Sequence, residues 1–190
     1  MGKGADFERT ICKQLSLWWS EGERDDIFWR SSQSGGRATI RGRRGLQTAG
    51  SYGDITALDP SGSPFLDLLT PELKRGYSDA NFHKLFDMPK TSGIQVWEQW
   101  IAQAVSSWEL SGSFSWAIIA KRDRGEPLIL MDYILDDVLE IPRQRPHMDA
   151  FLDVRYSKTK TVPHRVTVMQ FNKWLEVVSP QKIRKIVPKL

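Results

Sequence analysis

Apolar residues near the start of the chain recur every three or four positions: Phe7, Ile11, Leu15 and Trp18. That spacing lines one side of a helix over residues 5–20, with Asp6 as its candidate N-cap. "DIFWRSS" at 26–32 reads as a strand. "GDITALDPSGSPFLDLLTPELKRGY" at 53–77 reads as two strands joined by a Pro-Ser-Gly turn. Residues 77–93 read as an irregular linker. The clearest helix covers 94–110, where Trp97, Trp100, Ile101, Ala104, Val105 and Trp108 form one stripe that "SGS" at 111–113 ends. "FSWAIIAK" (114–121) and "PLILMDY" (127–133) read as a hairpin. "YILDDVLEIPRQRP" is expected to leave the body. "RVTVMQF" (165–171) is a further strand, followed by a short helix. The order predicts an α/β fold, a mixed central sheet flanked by helices.

Length and composition narrow the classes. A chain of 190 residues with ordinary hydrophobicity can build a sound core. Its longest apolar runs, such as "LILM", are far too short to span a bilayer. "MGKGADFERT" carries no signal-peptide core. The single cysteine, Cys12, cannot form an internal disulfide, which fits a cytoplasmic location.

Charge is uneven. Residues 141–190 hold 11 Lys/Arg against 3 Asp/Glu, and residues 1–140 hold 16 against 20. A basic C-terminal section on an acidic body suggests a polyanionic partner, although a solvated tail has the same composition. Residues 31–53 contain six glycines, four arginines and no acid. Arg37, Arg41, Arg43 and Arg44 on such a backbone suit phosphate contacts.

The strand pair carries the chemistry. Residues i and i+2 share a strand face, so Glu72 and Lys74 point the same way. Asp54 on the preceding strand adds a second carboxylate. Facing carboxylates repel unless a cation or proton lies between them. Mg²⁺ takes one or two carboxylates and keeps most of its waters, and a neighbouring lysine can position a water for attack on a phosphodiester. Strict hairpin pairing leaves Asp54 and Glu72 about three residues out of register, roughly 10 Å on a flat strand. Pro71 marks an edge position or a bulge. A surface ion-pair cluster is the alternative for the three residues together.

The pattern Asp54-(x17)-Glu72-x-Lys74 resembles the signature of the PD-(D/E)XK nucleases. Within that superfamily the chain is similar to the archaeal-type Holliday-junction resolvases. "GADFER" offers Gly4, Glu8 and Arg9; "RSSQSG" offers Arg30, Ser34 and Gly35; "DITAL" and "ELK" follow; Gln95 stands early in the next helix. The resemblance covers residues 4–75 well, 94–121 loosely and 122–190 not at all. It implies a restriction-endonuclease-like fold, with residues 1–140 expected to form the nuclease core; 141–190, set apart by its charge, is expected to be a basic extension packed on it. The resemblance also implies Mg²⁺, with Mn²⁺ as a substitute, held by Asp54 and Glu72 with Glu8 as an outer ligand. Lys74 would orient the attacking water. Arg30, Ser34 and Gln95 would join the four loop arginines at the DNA, and the protein would act as a homodimer. Restriction-type and DNA-end nucleases share the signature, and a non-catalytic DNA-binding module is the reading of a different class.

Other residues offer less. Gln99 and Gln103 share a polar helix face with Gln95 and read as solvent-facing. Of Trp18 and Trp19, one is expected to be exposed. His83, His147 and His164 make no zinc spacing with one cysteine. There is no phosphate-cradling P-loop and no arguable Ser-His-Asp set.

Overall fold

The computed structural model describes residues 3–31, 52–76, 95–143, 147–157 and 159–190. Helix α1 (Lys3–Trp19) leads to strand β1 (Phe28–Arg30). Strand β2 (Ile55–Ala57) is followed by a 3-10 turn (Pro60–Gly62), helix α2 (Ser63–Leu68) and strand β3 (Leu69–Arg75). Helix α3 (Val96–Ser111), strands β4 (Ser115–Lys121) and β5 (Leu128–Asp132) and helix α4 (Tyr133–Val138) come next. Strands β6 (His147–Arg155) and β7 (Thr161–Gln170), then helices α5 (Phe171–Val177) and α6 (Pro180–Ile186), complete the described chain. Among the described residues no helix is long and apolar enough to cross a membrane.

Two sheets form among these residues. β1 and β2 make an antiparallel pair, and the main sheet has the order β3-β4-β5-β7-β6. β3 runs parallel to β4, and the other neighbours are antiparallel. The parallel step needs a crossover, and α3 lies between β3 and β4 in the chain.

Sequence alternation shows how the sheet is covered. In β4, Ala117 and Ile119 enter one core with α1, α2, α5 and α6, while Trp116 and Ile118 enter a second core with α3. β5 divides in the same way, with Ile129 and Met131 on the first face and Leu130 on the second. Strands covered on both faces read as unbroken apolar runs, which is why "WAII" and "LILM" lack polar alternation. The α3 stripe meets expectation: Trp97, Trp100, Ile101, Ala104 and Val105 are buried. Gly112 closes that helix at φ +76°, a conformation glycine adopts without strain.

Three expectations change. The 53–77 segment is not a hairpin, because α2 intervenes and β2 and β3 pair with different partners. Asp59 caps the turn, its carboxylate accepting from the Ser61 N–H, and Phe65 and Leu68 anchor the short helix in the core. Residues after Tyr133 do not leave the body: they form α4, and Leu135, Leu139 and Ile141 are buried. Within 141–190, β6 and β7 supply two of the five strands of the main sheet. Of the tryptophan pair, Trp19 is buried and Trp18 partly so. The 77–93 linker lies outside the described residues.

Candidate active site

β3 is an edge strand, and its outer side receives Asp54. The Asp54 N–H donates to the Pro71 carbonyl at 2.9 Å, and the Leu73 N–H donates to Asp54 Oδ2 at 2.7 Å. Residues 71 and 73 thus turn their backbone polar groups outward, away from β4. Pro71 sits where a ladder N–H toward β4 is not needed, so an edge strand tolerates it. Gly53 permits the approach. At φ +77°, a Cβ on it would lie 2.7 Å from the Pro71 carbonyl oxygen. The 10 Å register gap expected of a hairpin disappears because α2 takes up the intervening residues and brings the chain back at the level of Pro71–Leu73.

Glu72 and Lys74 project together toward α3. Lys74 Nζ donates to Glu72 Oε2 at 2.8 Å, and only 2% of the Glu72 side chain and 10% of the Lys74 side chain are exposed. Two residues of α3 complete the grip. Gln103 Nε2 donates to the same Oε2 at 2.8 Å while its Oε1 accepts from Lys74 Nζ at 3.1 Å. Ser107 Oγ donates to Glu72 Oε1 at 2.8 Å. Gln103 is therefore a site residue and also solvent-exposed, as the polar stripe it belongs to predicts. Its helix comes from across an undescribed stretch of chain, and the only sequence signal was a polar position one turn before Ser107. Lys74 has three donors, and among the described residues two have partners.

Asp54 is buried, and among the described residues only its Oδ2 is engaged. Burial and then the charge of Glu72 push its pKa up to about 7, against the opposing pull of Lys74 and the Leu73 N–H. The Glu8 carboxylate adds a smaller push in the same direction. A carboxylate pair that resists double ionisation suits a cation.

Glu8 reaches this neighbourhood from α1 but is held by Arg30, with Arg30 Nε 3.0 Å from Glu8 Oε2. Cys12, one turn further along α1, is fully buried; burial, then Glu8 and Asp54, push its thiol up to about 12. It is an inert core thiol. Gln95 stands at the N-cap of α3, where its N–H donates to Glu98 Oε2 at 2.7 Å in a capping box. Ser34, Arg37, Arg41, Arg43 and Arg44 lie outside the described residues.

Among the described residues, no group of three or more His, Cys, Asp or Glu converges on one point as a metal cage. The fit to a metal therefore rests on the pair Asp54 and Glu72. Two hard carboxylates, one of them strained by burial and by its neighbour's charge, are enough for an ion that keeps most of its waters. The residues suit a hard divalent cation in that sense.

Comparison with known proteins gives one match. The family model described as "Phage putative PDDEXK endonuclease" covers residues 1–185. No curated protein and no solved structure matches the chain.

Proposed function

The chain belongs to this phage PDDEXK endonuclease family and has its restriction-endonuclease-like α/β fold, and on that premise we propose that it is a metal-dependent DNA endonuclease with Asp54, Glu72 and Lys74 at its centre. The carrying observation is the buried carboxylate pair at β3, Asp54 against its outer edge and Glu72 facing α3, with Lys74 against Glu72. A solvated ion cluster would not sit at 2% and 7% exposure with one carboxyl forced toward its neutral form.

Asp54 and Glu72 would hold Mg²⁺, or Mn²⁺ in its place, with Glu8 as a further ligand once it leaves Arg30. When bound, the ion would supply Lewis-acid stabilisation of charge on the attacked phosphate. Glu72 enters with its rotamer fixed by Ser107 and Gln103. Lys74, anchored by Glu72 and Gln103, keeps one donor for the attacking water or a phosphate oxygen. Arg30 and the arginines at 37, 41, 43 and 44 would bind the DNA backbone, together with Ser34; for Gln95 a capping role competes with a DNA contact.

Branched DNA, four-way junctions above all, is the proposed substrate, and a homodimer the proposed working form. Support comes from "GADFER" and "RSSQSG" standing in the same order as in the archaeal-type resolvases. The test is cleavage of four-way junction, duplex and single-stranded DNA of matched length by wild type and Lys74→Ala, with Mg²⁺ and with EDTA. Wild type should cut, best at the junction, and neither EDTA-treated protein nor Lys74→Ala should cut. Cleavage in EDTA overturns the metal-dependent reading. Equal cutting of duplex and junction moves the substrate to restriction-type or DNA-end nucleases. Binding without cleavage in any metal leaves a DNA-binding module.

A further inference from the structure

Glu8 stands beside the site, held by Arg30. It lies on α1, and its charge and that of Asp54 both reach the Cys12 thiol. Its Oε2 is buried and has no hydrogen-bond partner among the described residues, although Arg30 Nε stands 3.0 Å away. The charge is balanced, but the geometry leaves the oxygen's lone pairs unused. A buried carboxylate oxygen in that condition is costly unless it serves something else. Arg30 is the more open partner, 33% exposed against 17% for Glu8. An anion arriving from solvent meets the guanidinium first. Arg30 also ends β1, and the next residue, Ser31, donates its N–H to the Asp54 carbonyl at 2.8 Å. The strand end that carries Arg30 is thus tied by one backbone hydrogen bond to the backbone of Asp54.

We infer that Arg30 is an internal stand-in for the metal at Glu8. In the DNA-free protein it holds the Glu8 carboxylate, and a DNA phosphate that takes up Arg30 releases Glu8 to the cation. DNA and metal then strengthen each other's binding through one exchanged ion pair, with the reciprocity that linkage requires. A guanidinium suits the exchange, since it binds carboxylate and phosphate with the same donor fork. The inference rests on the nuclease reading of Asp54 and Glu72, and its test separates the two.

Four full-length proteins are compared: wild type, Arg30→Gln, Glu8→Gln and the double variant, with Asp54→Asn as a control. The double variant leaves no buried charge unpaired, which guards against a misfolded single variant. Mn²⁺ binding is measured by calorimetry without DNA. Arg30→Gln should bind Mn²⁺ about fivefold or more tightly than wild type, and the gain should vanish when Glu8→Gln is also present. DNA binding is measured by fluorescence anisotropy in EDTA. Glu8→Gln should tighten it by a similar factor, and only while Arg30 is present. A gain in Mn²⁺ affinity that survives in the double variant means simple removal of a positive charge and overturns the exchange. An unchanged affinity in Arg30→Gln overturns it as well. If wild type binds Mn²⁺ and Asp54→Asn does not, the carboxylate site stands whatever Arg30 does. If wild type binds no Mn²⁺, the site reading falls and the exchange with it.

Discussion

β3 and β6 are the two edge strands of one sheet, and they carry their acids in opposite ways. On β6 the buried Ala150, Leu152 and Val154 alternate with exposed Asp149, Phe151 and Asp153. Asp149 accepts from Thr167 Oγ1 at 2.9 Å and faces Arg143 and Arg165 at 3.8 and 3.9 Å. Those charges are solvated, and charged residues on an open edge also discourage pairing with a stray strand. On β3 the acid is inside. Glu72 is buried at mid-strand, and Asp54 closes the outer edge where another strand would otherwise pair. Water cannot relieve their repulsion, so the protein does so with Lys74 and with α3 side chains, and the Asp54 pKa is pushed up to about 7. A third acid sharpens the contrast. Glu98 is also buried, yet it accepts from the backbone N–H groups of Gln95 and Arg155, a local structural role for its charge. Among the described residues Asp54 accepts one backbone N–H, from Leu73, and Glu72 accepts only from the side chains of Lys74, Gln103 and Ser107; two buried acids side by side, so held, mark the site.

The largest expected effect follows from emptying the β3 edge of its cation. Lys74→Ala should lower the cleavage rate by about 10²–10³-fold or more, the scale of losing one electrostatic contact to a transition state, while DNA binding changes little. Single-turnover assays check it. Asp153→Asn on β6 in the same assay should leave the rate unchanged; a comparable loss there would break the contrast.

The next effect is on stability and has a definite pH sense. With its pKa raised to about 7, Asp54 keeps a proton in the folded chain that the unfolded chain releases near pH ~4. Protonation therefore favours the folded state. That contribution is complete below the unfolded pKa and is lost as pH rises through about 7. Asp54→Asn removes the dependence. In metal-free buffer the variant should exceed wild type above neutral pH by an amount on the order of a few kcal/mol, and match it near pH ~4. Urea melts across pH measure the difference. Equal stability at all pH values would place Asp54 with the solvated acids of β6.

Gly53→Ala tests the close approach that brings Asp54 to β3. The positive φ and the crowding against Pro71 together should cost about 1–3 kcal/mol, read by thermal denaturation. Gln103→Ala should be milder, about tenfold in cleavage rate, with stability near wild type. An unaffected rate would leave Gln103 an exposed residue with no part in the chemistry.

Much of this was legible because the signals were long or chemical. The 3.6-residue stripes of α1 and α3 and the apolar runs of β4 and β5 each span enough residues to show their period. The Asp54, Glu72 and Lys74 set stands out by residue type and spacing. α2 was hidden by its length, since six residues show barely one repeat, and Pro-Ser-Gly imitates a hairpin turn. β6 carries a clear alternation at Ala150, Leu152 and Val154, but it follows a proline-rich stretch that draws attention to a departing tail. Gln103 and Ser107 could not be assigned from sequence, because only the folded crossover brings their side of α3 over Glu72. The Glu8–Arg30 pair joins residues far apart in the chain, and no local pattern announces it.

The most direct test of the central claim asks whether the acids of β3 hold a cation. Thermal melts of chelator-treated wild type and Asp54→Asn would be followed at pH ~8, with and without Mg²⁺, where Asp54 is largely ionised by its own pKa. The account predicts that Mg²⁺ raises the melting temperature of wild type and leaves Asp54→Asn unmoved. A wild-type melting temperature indifferent to both Mg²⁺ and Mn²⁺, or an equal rise in the variant, would contradict it.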